Sequence, residues 1–153
     1  MKIAVASDHV GWALKAKVGD YLRSKGFDVE DYGPTTPESV DYPDYAEKVA
    51  VSVAAKGADF GVLVCGTGLG VAIAANKVPG IRAATCNDTI SAYFARAHND
   101  ANVLALGGRL ADEATARKIV DVWLSTEFEG GRHARRVEKI AHIDTRNHTE
   151  RSR

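Results

Sequence analysis

"FGVLVCGTGLGVAIAANK", Phe60 to Lys77, is the stretch whose reading decides the fold. An unbroken apolar run, Phe60 to Cys65, ends in the glycine-rich turn "GTGLG" and passes straight into a helical pattern. A strand that is apolar on both faces and is followed directly by a helix belongs to a parallel sheet covered on both sides. Four more short runs support this: "KIAVA" (2–6), "FDVEDY" (27–32), "IRAATC" (81–86) and "NVLALG" (102–107) all read as strands. Between them Leu14, Val18, Tyr21 and Leu22, then Ala46, Val49, Ala50, Val53 and Ala54, and later Ile119, Val120, Trp123 and Leu124, recur at helical spacing. Strands alternating with amphipathic helices, joined by right-handed crossovers, predict an α/β fold. It is a Rossmann-like three-layer α/β/α sandwich on a five-stranded parallel sheet.

The punctuation agrees with that architecture. Gly26, Gly57 and Gly80 fall just past helical segments, and "EGGR" (129–132) separates a fifth helix from a last one. There is no internal repeat, low-complexity tract or second domain, so a single domain is expected over 1–143. The polar stretch "DTRNHTERSR" (144–153) is expected to fray as a C-terminal tail.

Composition narrows the function. Lys+Arg and Asp+Glu each number 20 in 153 residues, and no basic run of the kind nucleic acid requires is present. No apolar stretch approaches the ~20 residues of a membrane span, and "MKIAVASDH" turns polar too early for a secretory signal, so a cytoplasmic protein is expected. Cys65 and Cys86 lack metal-ligand spacing and read as free thiols, with neither a disulfide framework nor a metal site implied.

In open parallel sheets ligands bind beyond the carboxyl ends of the strands, so the residues just after each strand are the ones to weigh. The first strand delivers "SDHVG" (7–11), in which Asp8 is either a helix cap or a ligand group and His9 points toward the crevice. The third delivers "CGTGLG" (65–70). A Walker loop is excluded because no Gly-Lys-Ser/Thr follows, and a dinucleotide fingerprint lacks its third glycine at Val71. Asp88, after the next strand, reads equally as a ribose-binding acid or as a helix N-cap. The remaining functional reading rests on the cysteine: a thiol at a helix N-terminus is favoured as thiolate and can act as a base. The amides of Gly66, Thr67, Gly68, Leu69 and Gly70 would meanwhile face a developing oxyanion. Against it stands the plain reading of Cys65 as the end of a buried strand.

Further along, His98 and Asn99 precede the fifth strand and Arg109 follows it. Arg132, His133, Arg135 and Arg136 then crowd the first turns of the last helix, where the dipole disfavours cations by ~0.3–1 kcal/mol each. Arg132 and Arg136, four apart on one face, suit the grip of a phosphate.

Taken together, "SDHVG", "DYPDYA", "CGTGLGVAIAANK", "GIRAATC", "HNDANVLALGGR" and "FEGGRHARRVEKI" resemble the type B ribose-5-phosphate isomerases, whose relatives include allose-6-phosphate and galactose-6-phosphate isomerases. The resemblance runs from the first strand to about Ile143. It implies a homodimer, or a dimer of dimers, with active sites shared between subunits. It also implies interconversion of ribose 5-phosphate and ribulose 5-phosphate through a cis-enediolate, with no metal or organic cofactor. Matched position by position, Cys65 would be the base, Thr67 its assisting hydroxyl, and Gly66, Gly68 and Gly70 part of the enediolate loop. His98 would help open the furanose ring, with Asn99 beside it; Asp8, His9 and Tyr42 would contact the substrate, and Arg109, Arg132 and Arg136 the phosphate. A small nucleotide-binding sensor of the same architecture is the alternative from another class, disfavoured by the incomplete fingerprint.

Overall fold

The structure, a computed structural model, describes residues 1–151. Eleven elements follow in the order β1 (Lys2–Ser7), α1 (Trp12–Ser24), β2 (Asp28–Asp31), α2 (Tyr42–Ala54), β3 (Phe60–Cys65), α3 (Leu69–Ala75), β4 (Ala83–Thr85), α4 (Thr89–Asn99), β5 (Val103–Gly107), α5 (Glu113–Ser125) and α6 (Arg132–Arg151). All four strand pairings are parallel, in the order β2-β1-β3-β5-β4. The five-stranded α/β/α sandwich expected from the sequence is therefore the observed fold. The two edge strands, Asp28–Asp31 and Ala83–Thr85, are shorter than the runs read from the sequence.

The two faces of the sheet are packed differently. Ile3, Val5, Val62, Val64, Leu104 and Leu106 point to α1, α4 and α5, where Leu14, Val18, Leu22, Ile119 and the fully buried Trp123 complete one core layer. On the other face the alternate residues are smaller, including Ala4, Ala6 and Ala105, and α2 and α3 settle on them through Val49, Val53, Val71 and Ala75. Gly61 shows how close this second layer lies: a Cβ there would come within 2.6 Å of the Val49 side chain. Cys65 belongs to this layer, at the carboxyl end of β3.

One boundary differs from the sequence reading. Asp144 does not open a fraying tail: α6 continues as helix to Arg151, and the Asp144 carboxylate accepts a hydrogen bond from the Gly80 N–H at 3.0 Å. That long-range bond holds the helix against the connection between α3 and β4, where composition alone predicts nothing. Residues 152–153 of the expected tail lie outside the described residues.

Candidate active site

Strand order reverses between β1 and β3, because the chain first steps outward to β2 and then returns past β1. Such a switch point opens a crevice at the carboxyl ends. Asp8 lies there, 7% exposed, its N–H donating to the Val64 carbonyl and its Oδ1 accepting from the Gly11 N–H at 2.8 Å. It thus holds the start of α1 while its carboxylate stays at the crevice. His9 Nδ1 accepts from the Val40 N–H at 3.3 Å, which in the neutral ring leaves the proton on Nε2. Tyr42, at the start of α2, lays its ring on Gly70, where a Cβ would come 2.7 Å from it. The connection from β2 that brings Val40 and Tyr42 here is pinned by Lys15. This lysine is only 3% exposed, and its Nζ donates to the Asp31 carboxylate and the Pro34 carbonyl, each at 2.9 Å.

The Cys65–Gly70 loop is bound almost entirely through its carbonyls. The Cys65 carbonyl accepts from the Gly108 N–H at 2.7 Å and that of Gly66 from the Arg109 N–H at 3.0 Å. The Thr67 carbonyl accepts from Asn87 Nδ2 at 3.3 Å, and that of Gly68 from Thr85 Oγ1 at 2.9 Å. In a trans peptide the N–H lies opposite the C=O, so tying four consecutive carbonyls turns the amides of residues 66 to 69 the other way. The Gly68 N–H indeed meets Cys65 Sγ at 3.2 Å, and the Leu69 N–H meets Thr67 Oγ1 at 3.3 Å. Gly68 takes φ of 79°, the left-handed region that only glycine enters cheaply, and α3 begins at the next residue. The Arg109 guanidinium lies over Gly66, about 3.4 Å from where a Cβ would stand.

A second group of side chains gathers elsewhere. The His98 and His133 rings stack with centroids 4.0 Å apart and planes 10° from parallel. Glu129 Oε2 faces both, 3.7 Å from His98 Nε2 and 3.5 Å from His133 Nε2, and the Tyr93 hydroxyl donates to Glu129 Oε1 at 3.4 Å. Burial pushes the His133 pKa below its ordinary value, with His98 and Arg132 pushing the same way against Glu129. His98, Glu129 and His133 offer three donor atoms within 4.8 Å of one another. Metal–imidazole bonds of ~2.0–2.1 Å lie in the ring plane, however, and two nearly parallel stacked planes do not share such a point. The arrangement is that of a stacked pair around a carboxylate. Arg132 and Arg136 stand beside it, exposed on the first turns of α6.

The structure therefore divides the residues singled out in the sequence. Asp8, His9, Tyr42, Cys65, Gly66, Thr67, Gly68, Gly70 and Arg109 share the carboxyl edge of the sheet, whereas His98, Asn99, Arg132 and Arg136 share the amino edge, because α4 runs back across the sheet before β5 begins. Along β3 and β5 the two levels, Cys65–Gly107 and Gly61–Val103, are four residues apart, roughly 13 Å at the rise of a parallel strand. Arg109 is thus separated within one chain from the two arginines grouped with it on the sequence. Asp88 is resolved as a cap: its Oδ1 accepts from the Ser91 N–H at 2.7 Å, which also holds its carboxyl below the usual range. Cys86 is a buried thiol whose pKa burial pushes up to about 11, which marks it as structural. Missed at the sequence level were Glu129, Lys15, Thr85 and Asn87. Glu129 stood inside the quoted "FEGGRH", and Asn87 directly before the weighed Asp88, but neither carries a spacing that marks it.

Residues 3–140 match the ribose/galactose isomerase family model. The chain is 49% identical over 145 residues to ribose-5-phosphate isomerase B of Escherichia coli strain K12, covering 95% of this chain and 97% of that one. Its fold superposes on the Clostridium thermocellum ribose-5-phosphate isomerase B with a TM-score of 0.95 and 52% identity, over 96% of this chain and 99% of that one. It matches a Thermotoga maritima ribose 5-phosphate isomerase with a TM-score of 0.90 and 57% identity, over 92% and 97%. Among the described residues no helix is long and apolar enough to cross a membrane.

Proposed function

The chain belongs to the ribose/galactose isomerase family, and on that premise we propose that it interconverts D-ribose 5-phosphate and D-ribulose 5-phosphate, a step of the pentose phosphate pathway, in the cytoplasm. The observation that carries the chemistry is the Cys65 thiol at the start of the glycine loop, its Sγ accepting from the Gly68 N–H at 3.2 Å. Cys65 takes the proton from C2 of the open-chain aldose and returns it to C1, while a hydroxyl proton passes from O2 to O1. The cis-enediolate formed between the two transfers gathers negative charge on oxygen, which in this reading the amides of Gly66, Gly68 and Gly70 and the Thr67 hydroxyl stabilise. Asp8, His9 and Tyr42 hold the sugar hydroxyls at the same edge. Furanose opening needs the proton of the anomeric hydroxyl removed and the ring oxygen protonated; His98, with Asn99 beside it, serves there. No metal or organic cofactor takes part in this scheme.

The separation of the two groups within one chain supports a homodimer in which each site takes Cys65 and Arg109 from one subunit and His98, Arg132 and Arg136 from the other. The side of the sheet that carries β4 fits this use. Leu69 and Ile73 of α3, Ile90, Tyr93 and Phe94 of α4, and Ile140 and Ile143 of α6 are all at least 41% exposed, an apolar face that a second copy would cover. Two such dimers pairing into a dimer of dimers is compatible with the same subunit. The test is direct: purified protein incubated with ribose 5-phosphate should form ribulose 5-phosphate, with kcat/KM above that for allose 6-phosphate. A higher value for the six-carbon sugar would move the assignment to the family's allose-6-phosphate branch.

A further inference from the structure

Two residues outside the expected site control how the Cys65–Gly70 loop presents its amides. Asn87, just past β4, reaches across the end of β5. Its Oδ1 accepts from the Gly107 N–H at 2.9 Å, and its Nδ2 donates to the Thr67 carbonyl at 3.3 Å. The bridge is possible because β5 ends in glycine, where a Cβ would stand 2.8 Å from the Thr67 carbonyl group. One peptide further on, Thr85 Oγ1 donates to the Gly68 carbonyl at 2.9 Å. Each carbonyl held in this way fixes the plane of one peptide, and the N–H on the far side of that plane is fixed with it. The first plane aims the Gly68 N–H at Cys65 Sγ, and the second aims the Leu69 N–H at Thr67 Oγ1.

We propose that Asn87 and Thr85 are positioning residues that set the amide cradle around Cys65 by holding the Thr67 and Gly68 carbonyls. They lie behind the loop and act through it. Without Asn87, the Thr67–Gly68 peptide loses the side chain that holds its carbonyl, and its N–H swings away from the sulfur. Misplacement on the scale of an ångström at a reacting centre costs up to about a hundred-fold in rate. The arginines that grip the phosphate are untouched, so the loss falls on kcat and leaves KM in place.

This inference rests on the isomerase reading, and the experiment separates the two. Turnover of ribose 5-phosphate is measured for Asn87→Ala, for Thr85→Val, which keeps the shape and removes the hydroxyl, and for Thr85→Ser, which keeps the hydroxyl. The expected result is a fall in kcat of about ten- to a hundred-fold in Asn87→Ala and a smaller fall in Thr85→Val. KM should stay within about two-fold, and Thr85→Ser should recover most of the rate. Wild-type kcat in both Asn87→Ala and Thr85→Val, a KM that rises as far as kcat falls, or a Thr85→Ser as poor as Thr85→Val would overturn the proposal. If Asn87→Ala does not fold, the Thr85 pair decides. A wild type inert on ribose 5-phosphate would sink the substrate reading alone. The rate of Cys65 alkylation by iodoacetamide, read by peptide mass spectrometry, then still tests the cradle: a changed rate in Thr85→Val supports it and an unchanged one overturns it.

Discussion

At the end of β3 the site is made of backbone. Four successive carbonyls are tied to the ends of β4 and β5, and the groups offered to a ligand are amides and one thiol. At the meeting of α4 and α6 the second group is made of side chains, with two stacked imidazoles, a carboxylate facing both and arginines on an exposed helix start. The difference suits the tasks we propose for the two groups. Charge that appears only during reaction is stabilised best by dipoles that need no rearrangement, and a strand end braced by its neighbours supplies them. A phosphate carries its charge throughout, so under the proposed function exposed arginines that meet it on arrival suffice.

Four measurements would break or sharpen this contrast. The largest effect is expected for Cys65→Ala, which should lower kcat by about 10²–10⁴-fold with circular dichroism unchanged. Near-normal turnover would leave the backbone half without its base. Next, Cys65→Ala and His98→Asn, each inactive alone, should regain about a quarter of wild-type activity when unfolded and refolded together in equal amounts. Half of the dimers would then be mixed, and each mixed dimer would hold one intact site of two. No recovery would mean that the two halves do not meet across subunits.

For the side-chain half, Arg136→Ala should raise KM by roughly 10–100-fold, the loss of one charge-assisted contact of ~1.5–3 kcal/mol, with kcat little changed. An unaffected KM would remove Arg136 from the phosphate. The smallest effect concerns His133, whose pKa is lowered from 6.5 mainly by burial. A group that binds its proton less well folded than unfolded makes the fold lose stability as pH falls through 6.5, and the loss levels off below the depressed folded value. Denaturant midpoints between pH 7 and 5 should therefore fall more steeply in the wild type than in His133→Gln. Equal slopes would show that His133 does not titrate below its unfolded value.

Much of the fold was legible because its signals are local. The apolar run before Cys65, the glycines after it and the helical spacing of Val49 and Val53 each follow from a dozen residues of sequence, and each stands where it was expected. For the candidate site, the sequence marked which residues stand just after β1, β3 and β5, and the structure gathers those at one edge of the sheet. The separation of the candidate residues into two groups was not legible, because helix direction and strand order set which edge a residue joins. The end of α6 was misjudged for a related reason: "DTRNH" is polar enough to trail, and only the distant Gly80 explains why Asp144 is held.

By itself, then, the sequence determined the parallel sheet, the thiol followed by its glycines, and the arginines in an unfavourable place on a helix. Periodicity, turn chemistry and the dipole are properties of neighbouring residues. Only the tertiary structure decided that Arg109 lies over Gly66 while Arg132 stays with His98, and that Asn87 grips Thr67 from twenty positions away. Those contacts exist because β5 enters the sheet between β3 and β4, an order that no local pattern writes down.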